Sequence, residues 1–272
     1  MVELTGPLHL LGCGNMAGVM LKGWLDTGLD PALVTVIRPS GAPVAPGVRV
    51  LTLPPEGDTA HILLLGMKPQ KLDEAAPAAT RLIGPETTLV SILAGTELAT
   101  LRARFPAARR IVRAMPNTPA SLRLGVINLI GEGGEPEPEP EVEQLMAALG
   151  HTEWFTDEAL FALAGHLTGA APAFLFRFID ALASAGAALG LPPAQASRLA
   201  AAMAQGAASL AAMSGEPPAE LARRVASPGG TTEAGLRVLD EGEALATLML
   251  RTLDASRRRG LEMAEAARQA RG

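Results

Sequence analysis

At 272 residues the chain has room for one or two domains of about 150 residues and can bury a sizeable core, which excludes small disulfide-stapled scaffolds. Hydrophobic residues make up 48% but aromatics only 3%, with no tyrosine, so aromatic-rich β-sandwiches and base-stacking RNA readers are excluded in favour of Ala-, Leu-, Val- and Met-rich helical packing. The 23 basic and 28 acidic residues leave a formal charge of −5 and a pI near 5.5, which lacks the basic footprint of a nucleic-acid binder.

The first element is an apolar strand at 8–11 that runs into Gly12-Cys13-Gly14-Asn15-Met16-Ala17 and then an apolar helix. This is the spacing G-x-G-x-x-A of a dinucleotide turn. Gly12 permits the tight bend, Gly14 lets a pyrophosphate approach the backbone, and Ala17 lets the helix pack against the strand. The helix N-terminus then offers free N–H groups and the positive end of its dipole to the anion. Cys13, the one cysteine, has no second thiol or paired base and reads as a small residue that fits the turn. With no intrachain disulfide and an acidic Glu3 where a signal peptide carries positive charge, the expected location is the reducing cytoplasm.

A second strand at 34–37 ends in Arg38-Pro39-Ser40. An Asp or Glu about 20 residues after the glycines would bind a ribose 2′-hydroxyl, and none is present. Arg38 and Ser40 suit a 2′-phosphate instead, so NADP(H) is the expected cofactor, with NAD(H) second. Further apolar strands are expected at 61–65, 88–92, 111–113 and 126–130. Such runs alternating with helices predict a mostly parallel, doubly wound sheet. Gly66-Met67-Lys68-Pro69-Gln70 and Arg113-Ala114-Met115-Pro116-Asn117-Thr118-Pro119 leave the carboxyl ends of two of these strands, where the ligand crevice of such a sheet lies. The stretch 131–143, with alternating Glu and Pro, reads as an exposed loop feeding a helix with an acidic first turn, its charge a solvated face.

After Thr156, read as a helix cap, strand signals vanish. Helices are expected to the C-terminus, with breaks at Pro192-Pro193, at Gly215-Glu216-Pro217-Pro218 and at Ser227-Pro228-Gly229-Gly230. The mean hydropathy of +0.24 invites a membrane reading, but the apolar stretch 169–191 carries Arg177 and Asp180, so buried helices are expected. Small residues on nearly every face of 199–213 need cover from both sides, which points to a subunit interface. The loop Ser227-Pro228-Gly229-Gly230-Thr231-Thr232 opens a helix; its N–H groups and hydroxyls could hold a carboxylate, or it is a plain turn capped by a threonine. His9, His61, His151 and His166 are scattered without metal-ligand spacing, so no metal is expected.

Together these stretches resemble the pyrroline-5-carboxylate reductase family over nearly the whole chain. The resemblance rests on 12–17, Met-Lys-Pro-Gln at 67–70, Ser-Ile-Leu-Ala-Gly at 91–95, 113–119, Ala-Pro-Ala-Phe at 171–174 and Ser-Pro-Gly-Gly-Thr-Thr followed by Ala-Gly-Leu and Leu-Asp at 227–240. It implies an α/β chain: an N-terminal, NADP-binding Rossmann domain over 1–156 and a C-terminal all-helical substrate and dimerisation domain over 157–272, paired as a dimer or a dimer-based ring. The implied reaction is reduction of a cyclic imine to L-proline, the last step of proline biosynthesis. Met67, Lys68, Pro69, Ala94 and Asn117 would join Gly12, Gly14, Asn15, Met16, Ala17, Arg38 and Ser40 around the cofactor. Gly229, Gly230 and Thr231 would hold the substrate carboxylate, Thr232 would be the catalytic hydroxyl at the imine nitrogen, and Glu158 would lie at the substrate. Where the family has Ser, Gly and Tyr, this chain has Ala170, Ala171 and Phe174, and Leu53 replaces a frequent Asn. Two alternatives stay open from the residues: a related imine or hydroxyacid reductase, and a catalytically silent regulatory paralogue of competence type. Hydroxyacid chemistry needs a proton-donating Lys or His, and the helical half offers only His166.

Overall fold

The computed structural model describes residues 2–133 and 138–269. Eight strands form one sheet: β1 (Leu8–Leu11), β2 (Val34–Ile37), β3 (Arg49–Leu51), β4 (Ile62–Leu65), β5 (Thr88–Ser91), β6 (Arg110–Met115), β7 (Gly125–Gly131) and β8 (Gly150–Phe155). Their order is β3-β2-β1-β4-β5-β6-β7-β8, parallel throughout except for the antiparallel β6–β7 pair. The chain therefore runs outward from β1 through β2 to β3 and returns to β4 on the other side of β1. That reversal is the switch point at which doubly wound sheets bind ligands.

Continuous apolar runs form the central strands because helices cover both faces. Leu8, Leu10, Val36 and Leu64 share one core with Met20, Leu21 and Trp24 of α1 (Asn15–Asp26) and with Val142, Leu145 and Met146 of α4 (Pro140–Ala147). Trp24 is fully buried, and its indole N–H donates to the Leu145 carbonyl at 2.7 Å. On the opposite face Leu11, Leu63, Leu65 and Leu89 pack with Leu72 and Leu82 of α2 (Leu72–Leu82) and Leu101 of α3 (Leu98–Arg104).

After β8 the chain is helical: α5 (Glu158–Gly165), a π-helical turn over His166–Ala170, α6 (Ala171–Ala188), α7 (Pro193–Ser214), α8 (Pro218–Val225), α9 (Thr231–Asp240) and α10 (Ala244–Gln269). The expected breaks at Pro192, Gly215 and Ser227 all fall between helices, and Gly215 ends α7 in the left-handed region at φ +67°. One further break was not expected: Gly242 and Glu243, both at positive φ, separate α9 from α10. Two compact units emerge. One comprises residues up to Gly169 with those from Gly260 onward, the other Ala170–Arg259. Within the second, α6 and α7 lie against each other through Ala183, Ala196 and Ala200, where small side chains permit close approach.

Four expectations from the sequence are corrected. β3 and β8 were not anticipated: β3 has three residues, and β8, at the sheet edge, begins with the polar run His151, Thr152 and Glu153 before Trp154 and Phe155, so neither shows a continuous apolar run. The cap of α5 is Asp157, whose carboxylate accepts the Leu160 N–H at 2.8 Å, and not Thr156, because a helix starting at Glu158 places Asp157 at the N-cap. Across its described residues the acidic stretch is not a solvated face. Glu132 takes a two-pronged bond from Arg102, Glu139 pairs with Arg109, Glu141 binds His61 and the Thr5 N–H, and Glu143 binds Thr152 and Trp154, because the chain there passes beside these cationic and donor side chains. Residues 134–137 of that stretch lie outside the described ones.

The fourth correction concerns the helices expected to be buried. In the single chain Leu175, Phe176 and Phe178 of α6 remain 47%, 63% and 47% exposed, since a neighbouring helix covers one side only. By length and hydropathy the run Glu158–Ala188 could cross a membrane, but the π turn interrupts it and its central Arg177 and Asp180 pair with each other on the surface.

Candidate active site

A single register line runs across the parallel strands through Leu51, Ile37, Leu11, Leu65, Ser91 and Arg113. Everything the sequence marked for the cofactor leaves the sheet just beyond that line: Arg38 after β2, Gly12 to Ala17 after β1, Met67 to Pro69 after β4, Ala94 after β5 and Asn117 after β6. One edge of the sheet thus gathers five segments that are up to 105 positions apart in sequence (12 to 117).

Gly12 sits at φ +84°, where a side chain would be strained, and its N–H donates to the Ile37 carbonyl at 2.8 Å. A Cβ on Gly12 would also lie 3.0 Å from the Met67 nitrogen. Gly14 and Asn15 are exposed, and Gly14 forms the N-cap of α1 in extended conformation. No side chain caps this end and no carboxylate stands in the first turn, so the N–H groups of Asn15, Met16 and Ala17 lack an intrahelical acceptor and the dipole is unneutralised there. The donor set fits the pyrophosphate of a dinucleotide.

Arg38 is half-buried, its N–H bonded to the Leu51 carbonyl at 2.9 Å, and it begins a turn closed by the Gly41 N–H. Exposed Ser40 lies in that turn. Burial pushes the Cys13 thiol above its ordinary value, and the nearby Arg38 charge only partly opposes this, so Cys13 stays a neutral thiol within the turn. Lys68 is exposed, Ala94 is exposed beside Gly95 at φ +71°, and Met67 and Pro69 are half-buried. Asn117 is turned inward: its amide nitrogen donates to the Thr168 carbonyl and its oxygen accepts the Val126 N–H, both at 2.9 Å. It is thereby a brace for the turn that follows β6.

Two features were not read from the sequence. Gly66 has no room for a side chain, for an added Cβ would lie 2.7 Å from the Gly12 carbonyl oxygen and 2.8 Å from the Ala17 Cβ. A glycine closing an apolar strand was its one visible signal. The other is a pairing: Glu158, from α5, accepts the Arg113 guanidinium at 2.5 Å and the Leu98 N–H at 3.0 Å, both on the same oxygen. Among the described residues no group of His, Cys, Asp and Glu is placed to hold a metal ion.

In the helical unit, Gly229 has φ +69° and its N–H donates to the Glu233 carboxylate at 2.7 Å. Gly230, not a threonine, is the N-cap of α9, and a Cβ there would lie 2.9 Å from the Ser227 carbonyl oxygen. Thr231 and Thr232 open the helix with exposed hydroxyl-bearing side chains.

Residues 158–263 match the family model for pyrroline-5-carboxylate reductase dimerisation. The chain is 34% identical over 268 residues to pyrroline-5-carboxylate reductase of Pseudomonas aeruginosa, covering 96% of this chain and 98% of that one. It is 32% identical over 258 residues to the enzyme of the same name from Pisum sativum, covering 92% and 94%. Its structure is similar to that of a pyrroline-5-carboxylate reductase from Coxiella burnetii, with a TM-score of 0.83 at 29% identity over 95% of this chain and 98% of that one. The fold is also that of a Plasmodium falciparum pyrroline carboxylate reductase solved with NADP bound, with a TM-score of 0.78 at 20% identity over 96% and 98% of the two chains.

Proposed function

Because the chain belongs to the pyrroline-5-carboxylate reductase family, we infer that it reduces 1-pyrroline-5-carboxylate to L-proline with a hydride from NADPH, the last step of proline biosynthesis. The observation that carries this reading is the uncapped Gly12–Ala17 turn at the switch point of a chain matched end to end with reductases.

NADPH, when bound, supplies a hydride from nicotinamide C4. Gly12, Gly14, Asn15, Met16 and Ala17 would hold its pyrophosphate, and Arg38 and Ser40 its 2′-phosphate, which favours NADPH over NADH. Met67, Lys68, Pro69 and Ala94 would border it along the same sheet edge, with Asn117 bracing the neighbouring turn. The loop of Gly229, Gly230 and Thr231 would lie at the substrate carboxylate and offer it the Thr231 N–H and hydroxyl, since the Gly229 and Gly230 N–H groups already donate to Glu233 and Ser227. Thr232 Oγ would accept the N–H of the protonated imine and hold its proton at nitrogen while the C=N electron pair returns to that atom. No strong acid or base is then required. The residues contribute orientation, exclusion of water and one hydroxyl at the centre of changing charge.

The exposed apolar side chains of α6 and the match to a dimerisation model support self-association through the helical domain, as a dimer or a dimer-based ring. The acidic charge balance gives no footprint for nucleic acid, and the lone cysteine fits a reducing cytoplasm.

Purified protein given pyrroline-5-carboxylate and NADPH should form proline, with pyrroline-2-carboxylate and NADH as comparisons. Tight NADPH binding with no turnover of any imine would assign the regulatory role instead.

A further inference from the structure

Arg113 is the last residue of the register line that ends at the cofactor edge, paired with Ser91 at the end of β5. Its side chain is only 7% exposed and carries a full charge on the sheet face covered by α3. Such a charge is tolerated only when it is neutralised and hydrogen-bonded. Two groups from α5 meet it. Glu158 Oε1 accepts its Nη1, and the Phe161 ring lies under the guanidinium with 4.7 Å from Cζ to the ring centroid. Phe161 is fully buried and is held edge-on by Phe155 at 6.1 Å.

The same Glu158 oxygen accepts the N–H of Leu98, the first residue of α3. One carboxylate atom therefore ties β6, α5 and the start of α3 together. Between β5 and α3 lies only the short segment 92–97 that carries Ala94 and the left-handed Gly95. One end of that segment leaves the strand beside Arg113, and the other is held by Glu158.

We propose that Arg113 and Glu158 form a positioning pair for the reductase reaction, in which Glu158 fixes the Ala94 turn at the cofactor edge and does not itself contact the substrate. This rests on the reductase reading above. Glu158 Oε1 already serves two internal donors, one of them a nearly buried cation, and this engagement of the carboxylate with the fold is what a positioning role requires. Losing either member strands the other and releases the turn. Losing both leaves no unpaired charge.

The test measures NADPH Kd, kcat and KM for pyrroline-5-carboxylate on the full chain carrying Glu158→Gln, Glu158→Ala, Arg113→Met or the double change Arg113→Met/Glu158→Leu. Glu158→Ala and Arg113→Met should each weaken NADPH binding about tenfold and lower kcat on the order of 100-fold, the cost of about 1 Å of misplacement. The KM for pyrroline-5-carboxylate should stay within about twofold, since the substrate contacts are untouched. Glu158→Gln keeps the size of the side chain and an acceptor for Leu98, so it should fall between wild type and Glu158→Ala. The double variant should be no worse than the weaker single variant. A rise of about tenfold or more in KM with kcat and NADPH Kd unchanged would overturn the proposal and make Glu158 a substrate ligand. Effects that multiply in the double variant would also overturn it, by showing that the two residues act separately. A wild-type protein without turnover would instead sink the reductase reading, and the NADPH Kd values would still decide whether the pair is coupled.

Discussion

Gly66 and Gly12 meet so closely that a single methyl group cannot be inserted between them: a Cβ on Gly66 would stand 2.7 Å from the Gly12 carbonyl oxygen. The β1 turn and the end of β4 are pressed backbone to backbone at the point where the strand order reverses. The dinucleotide turn thus depends on a glycine 54 residues away (12 to 66) as much as on its own.

Gly66→Ala should therefore displace the Gly12 turn, at about 1–3 kcal/mol of overpacking. The expected result is a lower melting temperature together with weakened NADPH binding. A variant that binds NADPH as tightly as wild type would show that the two turns can separate without consequence.

Arg38 is the residue proposed to set the preference for NADPH. Replacing it with Ala removes the cation expected at the 2′-phosphate, a charged hydrogen bond of roughly 1.5–3 kcal/mol. The KM for NADPH should rise about 10- to 100-fold while that for NADH hardly moves. Equal effects on both cofactors would place Arg38 outside the phosphate site.

Thr232→Ala should lower kcat/KM by roughly 1.5–3 kcal/mol, the range for losing one hydrogen bond to a charged group, here the protonated imine. The fold should be unaffected, because Gly230 and not Thr232 caps α9. Unchanged kcat/KM would remove this hydroxyl from the chemistry.

Acid should destabilise the protein in two stages. Burial lowers the pKa of His9, against the opposing charge and hydrogen bond of Asp58, and its Nδ1 has no hydrogen-bond partner among the described residues. Its ring is neutral in the fold and charged when unfolded, so stability falls as pH drops below about 6.5 toward the folded value. For Glu141, burial alone would raise the pKa, but hydrogen bonds from His61 and Thr5 bring it below the ordinary value. Its contribution is present above about pH 4.3 and is lost as pH falls through the folded value. Melting temperatures across pH should show His9→Asn losing the first stage and Glu141→Gln the second. An unaltered profile in either variant would contradict the corresponding assignment.

How much of this was legible depended on whether the signal was local. The Gly12–Ala17 turn, the apolar runs of β1, β2, β4 and β5, and the Pro–Gly breaks at Pro192, Gly215 and Ser227 each impose their own backbone geometry and were readable in place. The β8 strand was not, because an edge strand with polar residues such as Thr152 and Glu153 lacks the apolar run of its neighbours. Nor was the antiparallel turn of β7, since strand direction is set by partners and not by composition. The Arg113–Glu158 bond joins residues 45 positions apart, and Glu139 looked solvated until Arg109, 30 positions earlier, was brought beside it. Pairings of this kind are made by the fold and have no periodicity to betray them.

Phe176 tests the interface. It is 63% exposed on α6 in the single chain, and a second copy of the helical domain would cover it. In sedimentation the wild type should run at twice 28.0 kDa or a multiple of it, and Phe176→Arg should shift the population toward the monomer. A wild type that stays monomeric at micromolar concentration would refute self-association.

The central claim is that this chain directs a hydride onto the imine carbon of pyrroline-5-carboxylate. It is tested most directly by turnover with NADPH deuterated at nicotinamide C4 on the transferred face and mass analysis of the product. The account predicts L-proline carrying one deuterium at C5, formed in step with cofactor oxidation. Oxidation of the cofactor without labelled proline, or no oxidation while NADPH binds tightly, would contradict it.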